Sequence, residues 1–457
     1  LCNYFTAKNA ITSMPIHDLI EKEKREQSLA RKLDLLLRTG QMLLQNGADS
    51  NRIDRNLRRV VLFLGIDEDK FHLHITYTTL MLNINDGIHS ITKFRKCSGH
   101  GVNMTTVSAV SRLTWHAMEN QYSLDRFEKE LDRIEAIGRH YSEWLIILSV
   151  GLACGGFCLL FGSDWAAVCI STIAASTALF VRWQLRRKIN NNYVVIAASA
   201  FVATFISCLA AKFHLSETPD RPVFASVLFL IPGVPLINSL DDMIDGFTIV
   251  GFTRGLVASL SIVALAFGMT VAFKALHTQA HNAAFIAPNI WLTALGGGVA
   301  AAGFAMLFNV PVRTLILCIA GGAISVITRN LLTVAEINLP LATFCGSLAA
   351  GIWTIYWVHK VHTPGYVISI PSVIPLVPGV LAYKAMMGLF AFTAFTPGTA
   401  NVSKTEAFIQ LFEPGIKSIL TVLGITLGVA IPNIIDRFYS SKKKRRIEEE
   451  FKERARR

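Results

Sequence analysis

Residues 228 to 246 read LFLIPGVPLINSLDDMIDG, an apolar run that meets Pro232-Gly233, then Pro235, and closes on Asp241, Asp242 and Asp245. In a soluble helix this is a fault, because proline removes a backbone donor and clashes with the preceding turn. Inside a membrane the same interruption is tolerable where the freed backbone lines a polar cavity. The surrounding sequence favours the membrane. The chain has 457 residues, 52% hydrophobic and 17% charged, with a mean hydropathy of +0.44, the composition of a multispanning membrane protein. Residues 1–143 are dense in charge, whereas from Trp144 onward apolar runs follow one another, each about 20 residues and so long enough to cross a bilayer.

Ten spans are expected, over approximately 144–162, 164–182, 192–211, 222–240, 250–273, 285–308, 313–329, 340–358, 366–387 and 416–436. Arg182, Arg186, Arg187 and Lys188, then Arg313, Lys360 and the run from Lys442 to Arg446 fall on one side, which puts both termini in the cytoplasm. The first 30 residues lack the apolar core of a secretory signal, so the domain before the spans is expected to stay inside. The organisation read from this is an extension (1–26), a small cytoplasmic α+β domain (27–143), two membrane repeats of five spans (144–275 and 285–436) and a basic cytoplasmic tail (437–457). Whether the native chain starts at Leu1 is left open. The tail can rest on anionic lipid headgroups. The net charge of +12 is spread over loops and tail rather than gathered with aromatic residues, so no nucleic-acid surface is indicated.

The membrane region repeats itself. GGFCLLFG (155–162) matches AGFAMLFN (302–309) at a shift of 147, and IPGVPL (231–236) matches VPGVLA (377–382) at a shift of 146. Two matches at nearly one offset imply a duplicated five-span unit. Because five is odd, consecutive copies enter the membrane from opposite sides, giving inverted repeats with broken helices, the pattern of secondary transporters. Pro232-Gly233 and Pro378-Gly379 should each interrupt a helix, and the half-helix that follows offers backbone N–H groups to a carboxylate.

The charges beside the two breaks differ. Asn238, Asp241, Asp242 and Asp245 follow the first; Tyr383 and Lys384 follow the second, with Lys384 aligned to Asn238. Ionisable residues in membrane spans are functional candidates. Pro232, Gly233, Asn238, Pro378, Gly379, Tyr383 and Lys384 are therefore the candidate substrate residues. Asp241, Asp242 and Asp245 are candidates for proton coupling or for binding an ammonium group, with Arg254 of GFTRG placed to neutralise one of them. The plain alternatives are aspartates capping a span at the interface, and prolines that only kink helices for packing.

The soluble part carries apolar stripes at helical spacing over 27–46 and 53–64, with Gly47 closing the first helix, Asp49 or Ser50 capping the second, and Arg52, Arg55, Arg58 and Arg59 on its other face. Alternation from Phe71 to Met81 predicts a strand, Asp86-Gly87 a hairpin turn and residues 88–95 the return strand. Two amphipathic helices follow, on Val107 to Ala117 and Leu124 to Ile134. His72 and His74 share a strand face, with His89 and His100 close in sequence, but no thiolate or carboxylate lies at ligand spacing, so no metal is assigned. Ser108, Ser111 and His116 have no nucleophile motif around them and read as polar positions of a helix. Six of the eight cysteines lie in apolar runs and none forms a CxxC pair; Cys154 and Cys158 read as small packing residues. Nothing calls for a cofactor.

At these motifs the chain resembles the threonine/serine exporter (ThrE-type) family: LLLRTGQMLLQNGADSNRIDRNLRRVVLFLG (35–65) is similar to the start of its soluble domain, LIPGVPLINSLDDMIDG with GFTRG to its first membrane half, and VIPLVPGVLAYKAMMG (373–388) to the second half, which in some relatives is a separate polypeptide. The resemblance implies a polytopic exporter of threonine and serine in the bacterial cytoplasmic membrane, driven by the proton-motive force; two-component relatives imply C4-dicarboxylates such as succinate instead. An amino acid needs one site for its carboxylate and an aspartate for its ammonium; a dicarboxylate prefers two cations, which Lys384 and Arg254 keep open. A membrane-anchored hydrolase and a channel are the rival classes. No triad, metal set or phosphate loop supports the first, and uphill transport separates the second. Oligomeric state, including a homo-oligomer, is open.

Overall fold

The computed structural model describes residues 16–85, 90–278, 289–361, 363–393 and 404–456. The expected Asp86-Gly87 turn and His89 lie outside the described residues. The chain divides into two compact units, one holding residues up to 100 with 109–137 and the C-terminal end from 445, the other holding 101–108 and 138–444.

The first unit contains helices α1 (Ile16–Gln45) and α2 (Ser50–Phe63), a three-stranded antiparallel sheet in the order β1 (Phe71–Ile75), β2 (Thr79–Asn85), β3 (Ser90–Lys96), and helix α4 (Leu124–Glu135); α3 (Met104–Glu119) begins in the other unit. Gly47 takes the left-handed conformation (φ 89°) that ends α1, and the Asp49 side chain accepts from the N–H of Arg52 to cap α2. Burial opposes ionisation of Asp49, but Arg52, Arg55 and that cap bond outweigh it and hold the carboxyl at about 2. The apolar stripes meet in a core that includes Leu33, Leu36, Leu57, Val60, Leu80, Leu82 and Phe127, all fully buried.

The expected strand from Phe71 to Met81 is in fact two. Thr76 Oγ1 accepts the N–H of Thr79 and the Thr76 N–H donates to the Thr79 carbonyl, turning the chain between β1 and β2. A hydroxyl closes this turn, without the Gly or Pro that punctuates most turns, so the alternation runs through it unbroken.

The second unit is helical: α5 (Glu143–Leu160), α6 (Trp165–Arg186), α7 (Asn192–Lys212), α8 (Asp220–Ala225), α9 (Gly233–Ile244), α10 (Thr248–Leu276), α11 (Ile290–Leu307), α12 (Val312–Val334), α13 (Leu339–Val361), α14 (Tyr366–Val373), α15 (Gly379–Thr393) and α16 (Lys404–Arg456), whose end from residue 445 belongs to the first unit. Among the described residues eight helices are long and apolar enough to cross a membrane, or ten if each of two bent pairs counts as one span. Those pairs are Asp220–Leu230 with Gly233–Ile244, bent by 57°, and Tyr366–Leu376 with Gly379–Leu389, bent by 51°.

The two halves repeat in detail. α5 and α11 begin and end 147 residues apart, on side-chain caps Ser142 and Asn289, and both stop in a left-handed residue, Gly162 (φ 74°) and Asn309 (φ 53°). In α6 the buried residues are Ala167, Ser171, Ala174, Ala175, Ala178 and Leu179; in α12 the positions 147 further on, Thr314, Cys318, Gly321, Gly322, Ser325 and Val326, are buried too. α5 and α11 cross antiparallel and reciprocally. A Cβ on Gly156 would sit 2.7 Å from the Gly296 carbonyl, and one on Gly296 would sit 2.7 Å from the Gly156 carbonyl. Glycine is required there because any side chain would push the two backbones apart.

Candidate functional site

Each break is built the same way. A short 3-10 turn, Leu228–Leu230 in the first copy and Ile374–Leu376 in the second, runs into Ile231-Pro232-Gly233 or Val377-Pro378-Gly379. The Gly233 N–H donates to the Ile231 carbonyl and the Gly379 N–H to the Val377 carbonyl, both at 2.8 Å. With Pro232 at φ −77°, ψ 64° this is an inverse γ-turn, a three-residue reversal that proline's fixed φ favours. The Pro232 and Pro378 carbonyls then accept from Leu236 and Ala382, starting α9 and α15.

The two turns lie against each other. A Cβ on Gly233 would meet Ile374 (3.1 Å) and Val377, and one on Gly379 would meet Ile231 and Leu228 (2.8 Å). Each glycine therefore packs on the apolar turn of the other copy.

The half-helices differ in what their first turns offer. Pro235 has no N–H, so Val234 is left as the free donor at the start of α9. In α15 the Val380 and Leu381 N–H groups both lie outside the helix's own bonding. A cavity of about 390 Å³ opens at this second end, walled by Pro378, Gly379, Val380 and Leu381 and on its apolar side by Phe157 and Phe224. A helix N-terminus carries partial positive charge and bonds anions.

Three cations line the same cavity: Arg221, Arg329 and Lys384; no acidic residue is among those lining it. Arg221 is buried at the start of α8 and donates to the Gly162 carbonyl. Arg329, near the end of α12, donates to Asn330 Oδ1 at 3.2 Å and approaches the Pro375 carbonyl, a group freed by the break, at 3.5 Å. Asn330, Thr333 and Thr421 add neutral polar atoms. The cavity lies toward the helix ends at Leu160, Asp220 and Val334, opposite the end at which Glu143 enters the helical unit.

The sequence candidates are divided by the structure. Pro378, Gly379 and Lys384 come together in the cavity wall. Tyr383 is fully buried behind it, stacked on Phe224 with ring centroids 5.3 Å apart. Pro232, Gly233 and Asn238 do not line the cavity; Gly233 and Asn238 are buried and Pro232 half-buried. The acidic group sits elsewhere, on the α9–α10 hairpin. Asp242 (1% exposed) pairs with Arg254 (5% exposed), Oδ2 to Nε at 3.1 Å, while Asp241 is half-buried and Asp245 is exposed at the end of α9. Small residues let the hairpin close: a Cβ on Gly255 would touch Ser239 Oγ, and Ser239 donates to the Gly251 carbonyl at 2.7 Å.

Sequence reasoning missed Arg221 and Arg329. A single arginine at the expected end of a span reads as an interfacial flank; the available signal was the shift of 147, which lays Arg329 on Arg182. In the soluble unit, His72 and His74 are exposed on one sheet face opposite Asn83 and Met81, and no group of three His, Cys, Asp or Glu residues comes together among the described residues. Ser108 and Ser111 are buried in α3, and His116 is exposed, 3.9 Å from Glu119.

The sequence profile described as "Putative threonine/serine exporter" matches residues 34–276, and a second one, "Threonine/Serine exporter, ThrE", matches residues 294–435. The chain belongs to the threonine/serine exporter family. The exporter is similar to the "Probable succinate transporter subunit YjjP" of Klebsiella aerogenes, 32% identical over 55% of this chain and 96% of the relative. It is 24% identical to the "Threonine/serine exporter" of Corynebacterium glutamicum over 84% of this chain and 82% of that one. A Haemophilus influenzae protein is 23% identical over 89% of this chain and 95% of its own length. No solved structure matches the exporter. The family boundary near residues 276–294 falls between α10 and α11, where one copy of the helical unit gives way to the next.

Proposed function

We propose that the exporter carries threonine and serine out of the cell across the bacterial inner membrane by proton antiport, with the substrate carboxylate seated at the start of α15. The observation that carries this is the cavity itself, one volume of about 390 Å³ lined by Val380 and Leu381 of the first turn of α15 and by Arg221, Arg329 and Lys384. Guanidinium groups bind carboxylates through paired, charge-assisted hydrogen bonds, and a half-helix terminus adds its dipole. Threonine and serine are the solutes named for both matching profiles and for the Corynebacterium relative. The proton is assigned to Asp242: protonation would release Arg254 inside the α9–α10 hairpin, and an ion pair this buried is costly to leave half-made. With inverted repeats and both termini cytoplasmic, the cavity is the outward-open state.

A second reading has its own support. Three cations and no carboxylate line the cavity, which suits a C4-dicarboxylate; an ammonium group would have only Asn330, threonine hydroxyls and backbone carbonyls to face. The Klebsiella relative, named for succinate, is similar over 55% of this chain.

Counterflow in proteoliposomes preloaded with threonine, serine or succinate decides between them. Exchange of labelled threonine or serine, driven uphill by an imposed pH gradient, is the expected result. Exchange of succinate alone moves the substrate to dicarboxylates, and exchange unaffected by the gradient removes the proton.

A further inference from the structure

Arg182 and Arg329 occupy one position in two copies of the same helix. α6 and α12 start 147 residues apart, at Trp165 and Val312, and bury the same six positions at that shift. Arg182 and Arg329 are also 147 apart. The positions around them have diverged: Trp183 stands against Asn330, and Arg186 against Thr333. The guanidinium is retained although both of these positions have changed; Leu185 and Leu332 also match.

Neither arginine has an acidic partner among the described residues. Arg329 lines the cavity and is held by Asn330 and the Pro375 carbonyl. Arg182 is half-buried, and its Nε is shut off from solvent with no hydrogen-bond partner. An unpaired charge in a membrane span is expensive and is kept for a use. Anchoring to headgroups is already served by Arg186, Arg187 and Lys188 at the exposed end of α6, one turn beyond. Anchoring also fails to explain Arg329, which sits at the opposite end of the bundle.

The contact of Gly156 with Gly296 is repeated, at the shift of 147, by that of Gly303 with the Ser149 carbonyl, and Gly233 and Gly379 each rest on the other's turn; these equivalent pairs relate the copies by an approximate twofold axis across the helices. Exchanging the conformations of the two copies about such an axis closes the cavity at Arg329 and opens its counterpart at Arg182. We infer that Arg182 is a second carboxylate-binding residue, which receives the substrate when the transporter opens toward the face carrying residues 187–191. This rests on the proposed transport function. The counterpart cavity is less basic, because Arg221 and Lys384 correspond to Val367 and Asn238 at the shift of 146. Arg182 is then its one cation from these positions, and its removal weighs heavily on that face alone.

The test measures half-saturation separately from each face, in proteoliposomes of one orientation, with whichever of threonine, serine or succinate the wild-type protein exchanges. Arg182→Gln should raise half-saturation on the face carrying residues 187–191 by about tenfold or more, the loss of a hydrogen bond to a charged group, and leave the other face within about twofold; Arg329→Gln should do the reverse. Arg182→Lys, which keeps the charge and loses the fork, should give an intermediate shift on the same face, and it decides the matter if Arg182→Gln does not insert. Equal shifts on both faces, or none, overturn the role of Arg182 while leaving export standing. Wild-type protein that exchanges none of the three solutes overturns both.

Discussion

The two broken helices share a backbone and differ in chemistry. Both follow a 3-10 turn, both reverse through a proline γ-turn, and both rest a glycine on the other's apolar turn. Yet α9 ends in a buried Asp242–Arg254 pair, whereas α15 begins at a cavity and carries Lys384 where α9 has Asn238. The two frames are alike in backbone and carry different charge. One frame holds a buried opposite-charge pair; the other holds cations without a carboxylate among the cavity's lining residues.

The largest effect is expected from breaking the charge specific to α9. Asp242→Asn removes the carboxylate that faces Arg254 in a buried site and should cost about 3–5 kcal/mol, read as a fall in the unfolding midpoint of the detergent-solubilised protein. Restoring neutrality with Asp242→Asn and Arg254→Gln together should recover part of that loss without restoring pH-driven uphill transport. A double variant still driven by a pH gradient would remove Asp242 from coupling.

The frame itself comes next. Gly296→Ala sets a methyl group against the Gly156 carbonyl, where backbone cannot yield, and should destabilise by about 1–3 kcal/mol. Gly379→Ala meets only the ends of the Ile231 and Leu228 side chains, which can turn aside, so the same melting experiment should place it well above Gly296→Ala in stability. The opposite order would mean that the breaks, not the α5–α11 crossing, hold the halves in register.

Lys384→Asn makes the second copy match the first at this position. Half-saturation should rise about tenfold, the weight of one charge-assisted hydrogen bond, with little change in stability because the side chain is only half-buried. An unchanged value in transport assays would take Lys384 out of the site.

The smallest effect on the comparison should come from the soluble unit. Asp49→Ala removes the cap of α2 and should cost that unit about 1 kcal/mol at neutral pH, read by hydrogen exchange in α2, with transport unchanged. Because the folded Asp49 carboxyl is held at about 2, below the unfolded value, its stabilisation is full above the usual carboxylate range. It should fade as pH falls from about 4 toward 2, and the Ala variant should lose this part of the acid transition.

Much of this was legible in the sequence because membranes fix lengths. The eight spanning helices and both bent pairs lie within several residues of their expected places, and the Pro-Gly pairs marked both breaks. The strand over 71–81 misled because the Thr76–Thr79 turn is closed by a hydroxyl and interrupts no alternation. The site was half legible. Lys384, Pro378 and Gly379 were readable from local motif, but the cavity also needs Arg221 from α8 and Arg329 from α12, which approach α15 only through the fold. Asp242 could be picked from its neighbours only once helix phase and the position of Arg254 were known: Asp241 lies one residue away and is half-buried, and Asp245 is exposed.

The crossing of α5 and α11 at Gly156 and Gly296 resembles an interface between two subunits that happen to be covalently joined. Its contacts come in equivalent pairs at the shift of 147, Gly156 on Gly296 and Gly303 on Ser149, as in a symmetric dimer. The peptide link between Leu276 and Ile290 then serves to raise the effective concentration of one half near the other. An exporter nicked there should stay assembled, and halves made as separate chains should find each other, at a concentration cost rather than a structural one.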